Sequence, residues 1–205
     1  MDFAVYLSAL GIASGLIVGI GPQNAFVIRQ GIGRRHVLPI VLTCIGCEVF
    51  FITLGVWGFG SWIASQSWLM NWMVWFGAAF IGWMGYRSLV SAFQPKQLDS
   101  SQGGVETNLA KAVKGILGVS FLNPYLWMDV ALIGGLSSAY GTGNKLAFLL
   151  GCLTAAVVWF FGIGFGAGKM APLFASSKSW RVLDGTIAGV MFVTAGMLVV
   201  RFGLH

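Results

Sequence analysis

The chain has 205 residues, 57% of them hydrophobic and 9% charged, and its net charge is +6. A mean hydropathy of +0.84 excludes an ordinary soluble domain, in which about 25% of residues are charged, and long apolar runs exclude a β-barrel, whose strands are about 10 residues long and alternate apolar with polar. The positive charge does not point to nucleic acid, because the basic residues fall in the connections between apolar runs and do not line one helix face.

A bilayer core about 30 Å thick needs about 20 apolar helical residues per crossing, so a chain of this length has room for about six spans and short loops. The expected fold is therefore all-α, a polytopic membrane helical bundle forming a single transmembrane domain over residues 1–205. In chain order the runs are Phe3 to Ile28, Val37 to Ile63, Trp68 to Val90, Val113 to Gly135, Lys145 to Lys169 and Val182 to Phe202. The first follows Asp2 without a basic leader and ends without an A-x-A cleavage pattern, so it reads as a span and not as a removed signal peptide. A polar stretch from Phe93 to Lys114, rich in Ser, Gly, Asp99 and Asn108, divides a first three-helix repeat (1–92) from a second (113–205), with a linker at 93–112. One re-entrant segment would reduce six crossings to five.

Lysine and arginine set the orientation, because positive loops stay in the cytoplasm. The connections after runs one, three and five hold Arg29, Arg34, Arg35, Arg87, Lys96, Lys111, Lys114, Lys169, Lys178 and Arg181, whereas the other side holds Lys145 and Arg201. Six spans then put the linker inside and both termini outside, in the bacterial inner membrane. Three spans per half is an odd number, so halves of like fold are inverted relative to each other.

Two interruptions occupy corresponding places: Gly21-Pro22-Gln23-Asn24 in the first run and Asn123-Pro124 in the fourth. Proline removes a backbone donor and frees carbonyls that lipid cannot satisfy, so such groups must face protein, water or substrate. Paired broken helices build the midplane site of many transporters; kinks that serve packing alone are the plainer reading. Two carboxylates, Glu48 and Asp129, stand within runs two and four. Each costs on the order of 3 kcal/mol at the centre of a span, which marks it as a cation-binding or proton-carrying group. The plainer alternative is a helix-end or structurally paired acid, yet no lysine or arginine lies deep in a run. Gln23, Asn24 and Asn123 can bond the carboxylate or amine of an amino acid, or cap the broken ends.

Other features carry less. Cys44, Cys47 and Cys152 lie in apolar runs and suit packing better than a disulfide, metal or thiol site. Gly11, Gly15 and Gly19 offer a smooth face for close packing, within the chain or in a homodimer. Trp62, Trp68, Trp72 and Trp180 fall near run ends, as in an interfacial belt. His36 reads as solvated, and Asp184, beside Arg181, as an interfacial acid outside the site.

The segment GPQNAFVIRQGI from Gly21, followed by Glu48, closely resembles the signature of the lysine and arginine exporters of the LysE superfamily, and FLNPYLWMD from Phe121 agrees in order and spacing. The similarity covers nearly the whole chain. It implies secondary export of basic amino acids with Asn24, Glu48, Asn123 and Asp129 at the transport site, flanked by Pro22, Gln23 and Pro124. That family more often has aspartate in the second span, where this chain has Glu48.

The expectation is a transporter and not an enzyme, without cofactor or resident metal, whose partners are a cationic amino acid, protons and the lipid bilayer. Glu48 and Asp129 would attract the cationic group while the two breaks hold the amino-acid backbone, and the inverted halves would rock around them. No Walker loop is present to couple ATP. The rivals are export of another small amino acid, export of a metal cation through carboxylates and cysteines, and, from a different class, a membrane thiol oxidoreductase.

Overall fold

The computed structural model describes residues 2–18, 21–93, 105–174 and 176–200, which form helices and turns and no strand. Helix α1 (Phe3–Ile17) starts where the Asp2 carboxylate accepts the Ala4 amide at 2.9 Å. Helix α2 (Pro22–Ile32) carries proline at its first position, where the missing N–H costs nothing, and it is bent by 80° from α1. Helix α3 (Val37–Leu54) runs through a π-turn at Gly55–Phe59 into α4 (Gly60–Ser65). Gly58 has φ of 115° in that turn, a conformation that glycine alone adopts without strain. Helix α5 (Ser67–Phe93) closes the first half.

A second bent pair opens the rest of the chain. Helices α6 (Leu109–Phe121) and α7 (Pro124–Ala139) are bent from each other by 55°, again at a proline. A 3₁₀ turn leads into α8 (Lys145–Lys169), and α9 (Ser177–Leu198) follows. Both sequence-predicted breaks are therefore present, and the fifth run matches α8 end to end.

Three helical stretches are long and apolar enough to cross a bilayer, Val37–Ser65, Thr142–Lys169 and Ser177–Leu198, and the two bent pairs raise the candidates to five. The third predicted run is helical, and α5 at 27 residues has ample length for a crossing at 1.5 Å per residue. It does not join the other five in hydropathy, since tryptophan, glycine and Asn71 supply much of its sequence.

Packing brings elements distant in sequence together. Helix α1 lies along α8, α5 along α9, α6 along α3, and α7 against α4 and the π-turn, while α2 is held between α8 and α3. The closest approaches need glycine: a Cβ on Gly60 would stand 2.1 Å from the Val130 carbonyl, and one on Gly134 would stand 2.6 Å from the Gly60 Cα. The anticipated glycine face on α1 is not used this way. Gly11 and Gly15 are exposed with nothing within 4 Å of an added Cβ, Gly19 lies outside the described residues, and α1 packs instead through Val5, Ala9 and Ala13. Glycine periodicity marks a smooth face, but the apolar residues one notch around the helix bury more surface.

The predicted linker is shorter than expected at its far end, because Asn108 caps α6 by accepting the Lys111 amide at 3.0 Å and starts the helix at Leu109. Residues 94–104 of that linker lie outside the described residues. Its last part is anchored: Gln30 Nε2 donates to the Glu106 carbonyl at 3.3 Å, and Val105 is buried against Gly33. His36, expected to be simply solvated, has a ring nitrogen 2.8 Å from the Thr107 carbonyl. Of the four tryptophans near run ends, Trp62, Trp68 and Trp72 are exposed, whereas Trp180 is half-buried with its ring against Phe174.

Candidate functional site

At the first break the chain must replace the hydrogen bonds lost at Pro22. The Asn24 amide reaches back and donates to the Ile17 carbonyl at 3.0 Å, while its own oxygen accepts the Trp159 indole N–H of α8 at 3.2 Å. Asn24 thus ties both sides of the break to the other half. The α2 N-terminus at Gly21 has no side-chain cap among the described residues, and it carries the positive end of the helix dipole.

The second break solves the same problem locally. Asn123 caps α7 by accepting the Tyr125 amide at 3.1 Å, and the Phe121 carbonyl left free receives the Trp127 indole N–H at 3.0 Å. Leu126 N–H bonds the Asn123 carbonyl at 3.1 Å. Both asparagines therefore perform the capping duty that was their plainer reading, and both also face the cavity described next.

One cavity at the centre of the molecule collects the predicted residues. Gly21, Pro22, Gln23 and Asn24 line it from the first break, Glu48 from α3, and Asn123 and Asp129 from the second break. Pro124 is buried behind Asn123 and is outside the lining. The remaining wall is chiefly apolar, with Ile17, Ile52, Ile81, Leu126, Ile133 and Phe160. About 80 Å³ is open to water centres; one centre needs about 10–15 Å³, so the cavity holds a handful of waters or the polar head of a small ligand.

Electrostatics define what such a space can take. Two carboxylates face it from different halves, and among the described residues no lysine, arginine or histidine lines it. Glu48 is 8% exposed, and the Asp129 Oδ1 atom is buried without a hydrogen-bond partner. Gln23 is 5% exposed, its side chain lies beside Glu48 and Cys44, and its buried Nε2 makes no well-formed hydrogen bond among the described residues. Buried polar atoms left unmatched cost about 1–3 kcal/mol each, and an acceptor and a donor left so within one cavity suit a ligand that brings both a cation and an acceptor.

Sequence reasoning missed two things. Trp159 gave no signal, because its partner is set by the packing of α2 on α8. Asp184, expected as an ordinary interfacial acid beside Arg181, is fully buried within the protein, and Arg29 of α2 contacts its Oδ1 at 2.9 Å while the Ser91 hydroxyl donates to its Oδ2 at 2.8 Å. Arg29 also donates to the Ser88 hydroxyl at 3.3 Å. Its neighbour Arg181 gave no sign of this burial, because the Asp184 carboxylate is turned to Ser91 of α5 and Arg29 of α2. The cysteines are free and buried, with Cys152 at the cavity wall.

A family model described as LysE type translocator matches residues 14–202. The arginine exporter protein ArgO of Klebsiella pneumoniae (strain 342) is 31% identical over 197 residues, covering 96% of this chain and 93% of that protein. Proteins of the same name from Pectobacterium carotovorum and Escherichia coli K12 are 30% and 29% identical, covering 93% and 94% of this chain and 94% and 92% of their own lengths. No solved structure matches.

Proposed function

Because the chain belongs to the LysE type translocator family, we propose that it exports basic amino acids, arginine or lysine, from the bacterial cytoplasm across the inner membrane. The observation that carries this reading is the central cavity, where Glu48 and Asp129 meet with no resident cation among the described lining residues. A guanidinium or ammonium group supplies the missing charge. The uncapped N-terminus of α2 and the Gln23 amide take the substrate carboxylate, since helix N-termini offer unpaired N–H groups and positive potential. Isoleucines and Phe160 cover the aliphatic stem.

The transport cycle is alternating access by two inverted repeats of three spans each, with the linker inside and both termini outside. Support comes from exchanged packing: the first helix of each half lies on the second long helix of the other, α1 on α8 and α6 on α3, and the third helices pair with each other, α5 with α9. The cavity is lined by residues of both halves, and parting them loads and unloads it.

Export of a cation opposes a negative-inside potential by about 2.3 kcal/mol per charge per 100 mV. Inward movement of protons supplies the drive, and protonation of Glu48 or Asp129 on the outer side cancels the attraction and releases the cargo. Efflux of labelled arginine, lysine and threonine from loaded proteoliposomes tests the reading. Wild type exports the cationic pair and not threonine. Glu48→Gln and Asp129→Asn each lower that efflux about 100-fold, the loss expected for a buried charge contact of about 3 kcal/mol. Threonine efflux, or full activity in both variants at normal membrane levels, overturns it.

A further inference from the structure

The Arg29–Asp184 pair joins the two halves on the side that the lysine and arginine distribution assigns to the cytoplasm. Arg29 ends α2, Ser88 and Ser91 lie near the end of α5, and Asp184 lies near the start of α9. The Asp184 side chain is 0% exposed and that of Arg29 17%, so the carboxylate is sealed while the guanidinium is reached from outside. What reaches it is a crevice with about 720 Å³ open to water centres, lined by Arg29, Arg87, Ser88 and Ser91 among apolar residues. Arg87 at its rim is turned onto the Trp83 ring, 5.3 Å from the centroid.

This crevice and the central cavity share Pro22. Between them stands one apolar layer, in which Ile81 faces the cavity, Ala25 and Met191 face the crevice, and Ile187 fills the space behind. The crevice is therefore the approach to the transport site from the inner side, and the Arg29–Asp184 pair borders it.

Rocking one half against the other draws α2 from α9 and separates the pair. Separated, each ion is left in an apolar environment unless a replacement arrives, which makes a bare opening costly. Arginine as cargo carries the same planar guanidinium as Arg29, and lysine carries the same charge. Resting on the export of basic amino acids proposed above, we infer that Asp184, with Ser88 and Ser91, is an inner subsite for the cationic side chain of the cargo, and that Arg29 occupies it as a tethered stand-in until cargo displaces it. Cargo then takes the carboxylate while Arg29 swings into the wet crevice, so the inner side opens for a cation and stays shut to neutral amino acids and to leak.

The test is arginine efflux by the full chain in proteoliposomes, with half-saturating internal arginine and maximal rate measured separately and membrane abundance recorded. If Arg29 competes with cargo, Arg29→Lys, which keeps the charge but loses the fork of donors, lowers the half-saturating concentration several-fold, and Asp184→Asn raises it at least tenfold. The exchange variant R29D/D184R restores the ion pair, and with it abundance, but leaves efflux at the Asp184→Asn level, because a carboxylate on α2 no longer waits in the sealed position. Efflux restored by the exchange reduces the pair to a strut and overturns the inference, as does an unchanged or raised half-saturation in Arg29→Lys, which decides the matter if Asp184→Asn fails to accumulate. Wild type that exports no basic amino acid overturns the export reading instead, so the two failures are told apart.

Discussion

The two proline breaks have the same place in their halves but differ in how they are closed. The second is self-contained, with its cap and its replacement donor, Asn123 and Trp127, coming from the same bent pair. At the first, Asn24 is shared between the Ile17 carbonyl and Trp159 of the opposite half, and the new helix start is left uncapped beside the Gln23 amide. A break that satisfies itself is a rigid mount for Asp129. A break braced across the halves and uncapped at its helix end has its hydrogen bonds at stake when the halves move.

That contrast is broken most severely at Asn24. Asn24→Ala strands a part-buried carbonyl and a part-buried indole N–H, each at up to about 1–3 kcal/mol, so both the thermal midpoint of the purified protein and efflux should fall; retention of both would reduce the brace to a coincidence. Gln23→Leu removes an amide whose nitrogen makes no well-formed hydrogen bond in the unloaded cavity, and replacing such a group by an apolar one of similar shape is nearly neutral for folding. Its expected signature is an unchanged midpoint with half-saturating arginine raised about tenfold, equivalent to about 1.4 kcal/mol of lost binding.

Smaller effects are expected at the second break. Trp127→Phe leaves the Phe121 carbonyl without its donor and should lower the midpoint by the equivalent of about 1 kcal/mol without altering half-saturation. A matching rise in half-saturation would mean that the second break also moves during loading. Asn123→Ser keeps a capping oxygen and should cost a few tenths of a kcal/mol, read as a slight midpoint shift. A loss of efflux in Asn123→Ser out of proportion to that shift would assign the Asn123 amide nitrogen to the cargo.

Much of the site was legible because its determinants are local. Proline cannot continue a hydrogen-bond ladder wherever it sits, and a carboxylate in an apolar run is conspicuous without knowing its neighbours, so Pro22, Pro124, Glu48 and Asp129 stood out; Pro22, Glu48 and Asp129 line one cavity, and Pro124 starts the helix that carries Asp129. Asp184 gave no sign of its burial, for the opposite reason. Two residues from the start of its predicted run and near Arg181, it had an ordinary local explanation, and its burial depends on α5 and α2 folding over it. The glycines of α1 failed in the same way, since a smooth helix face specifies no partner.

By itself the sequence determined that the chain is a helical membrane protein, where two helices break and that Glu48 and Asp129 lie within apolar runs, because hydropathy, proline geometry and the cost of a charge in hydrocarbon act on each segment alone. Only the tertiary structure decided that Asn24 braces Trp159, that Arg29 neutralises Asp184 and that Glu48 meets Asp129. Those pairings depend on the packing of α2 against α8, α3 and α9, which no single segment encodes.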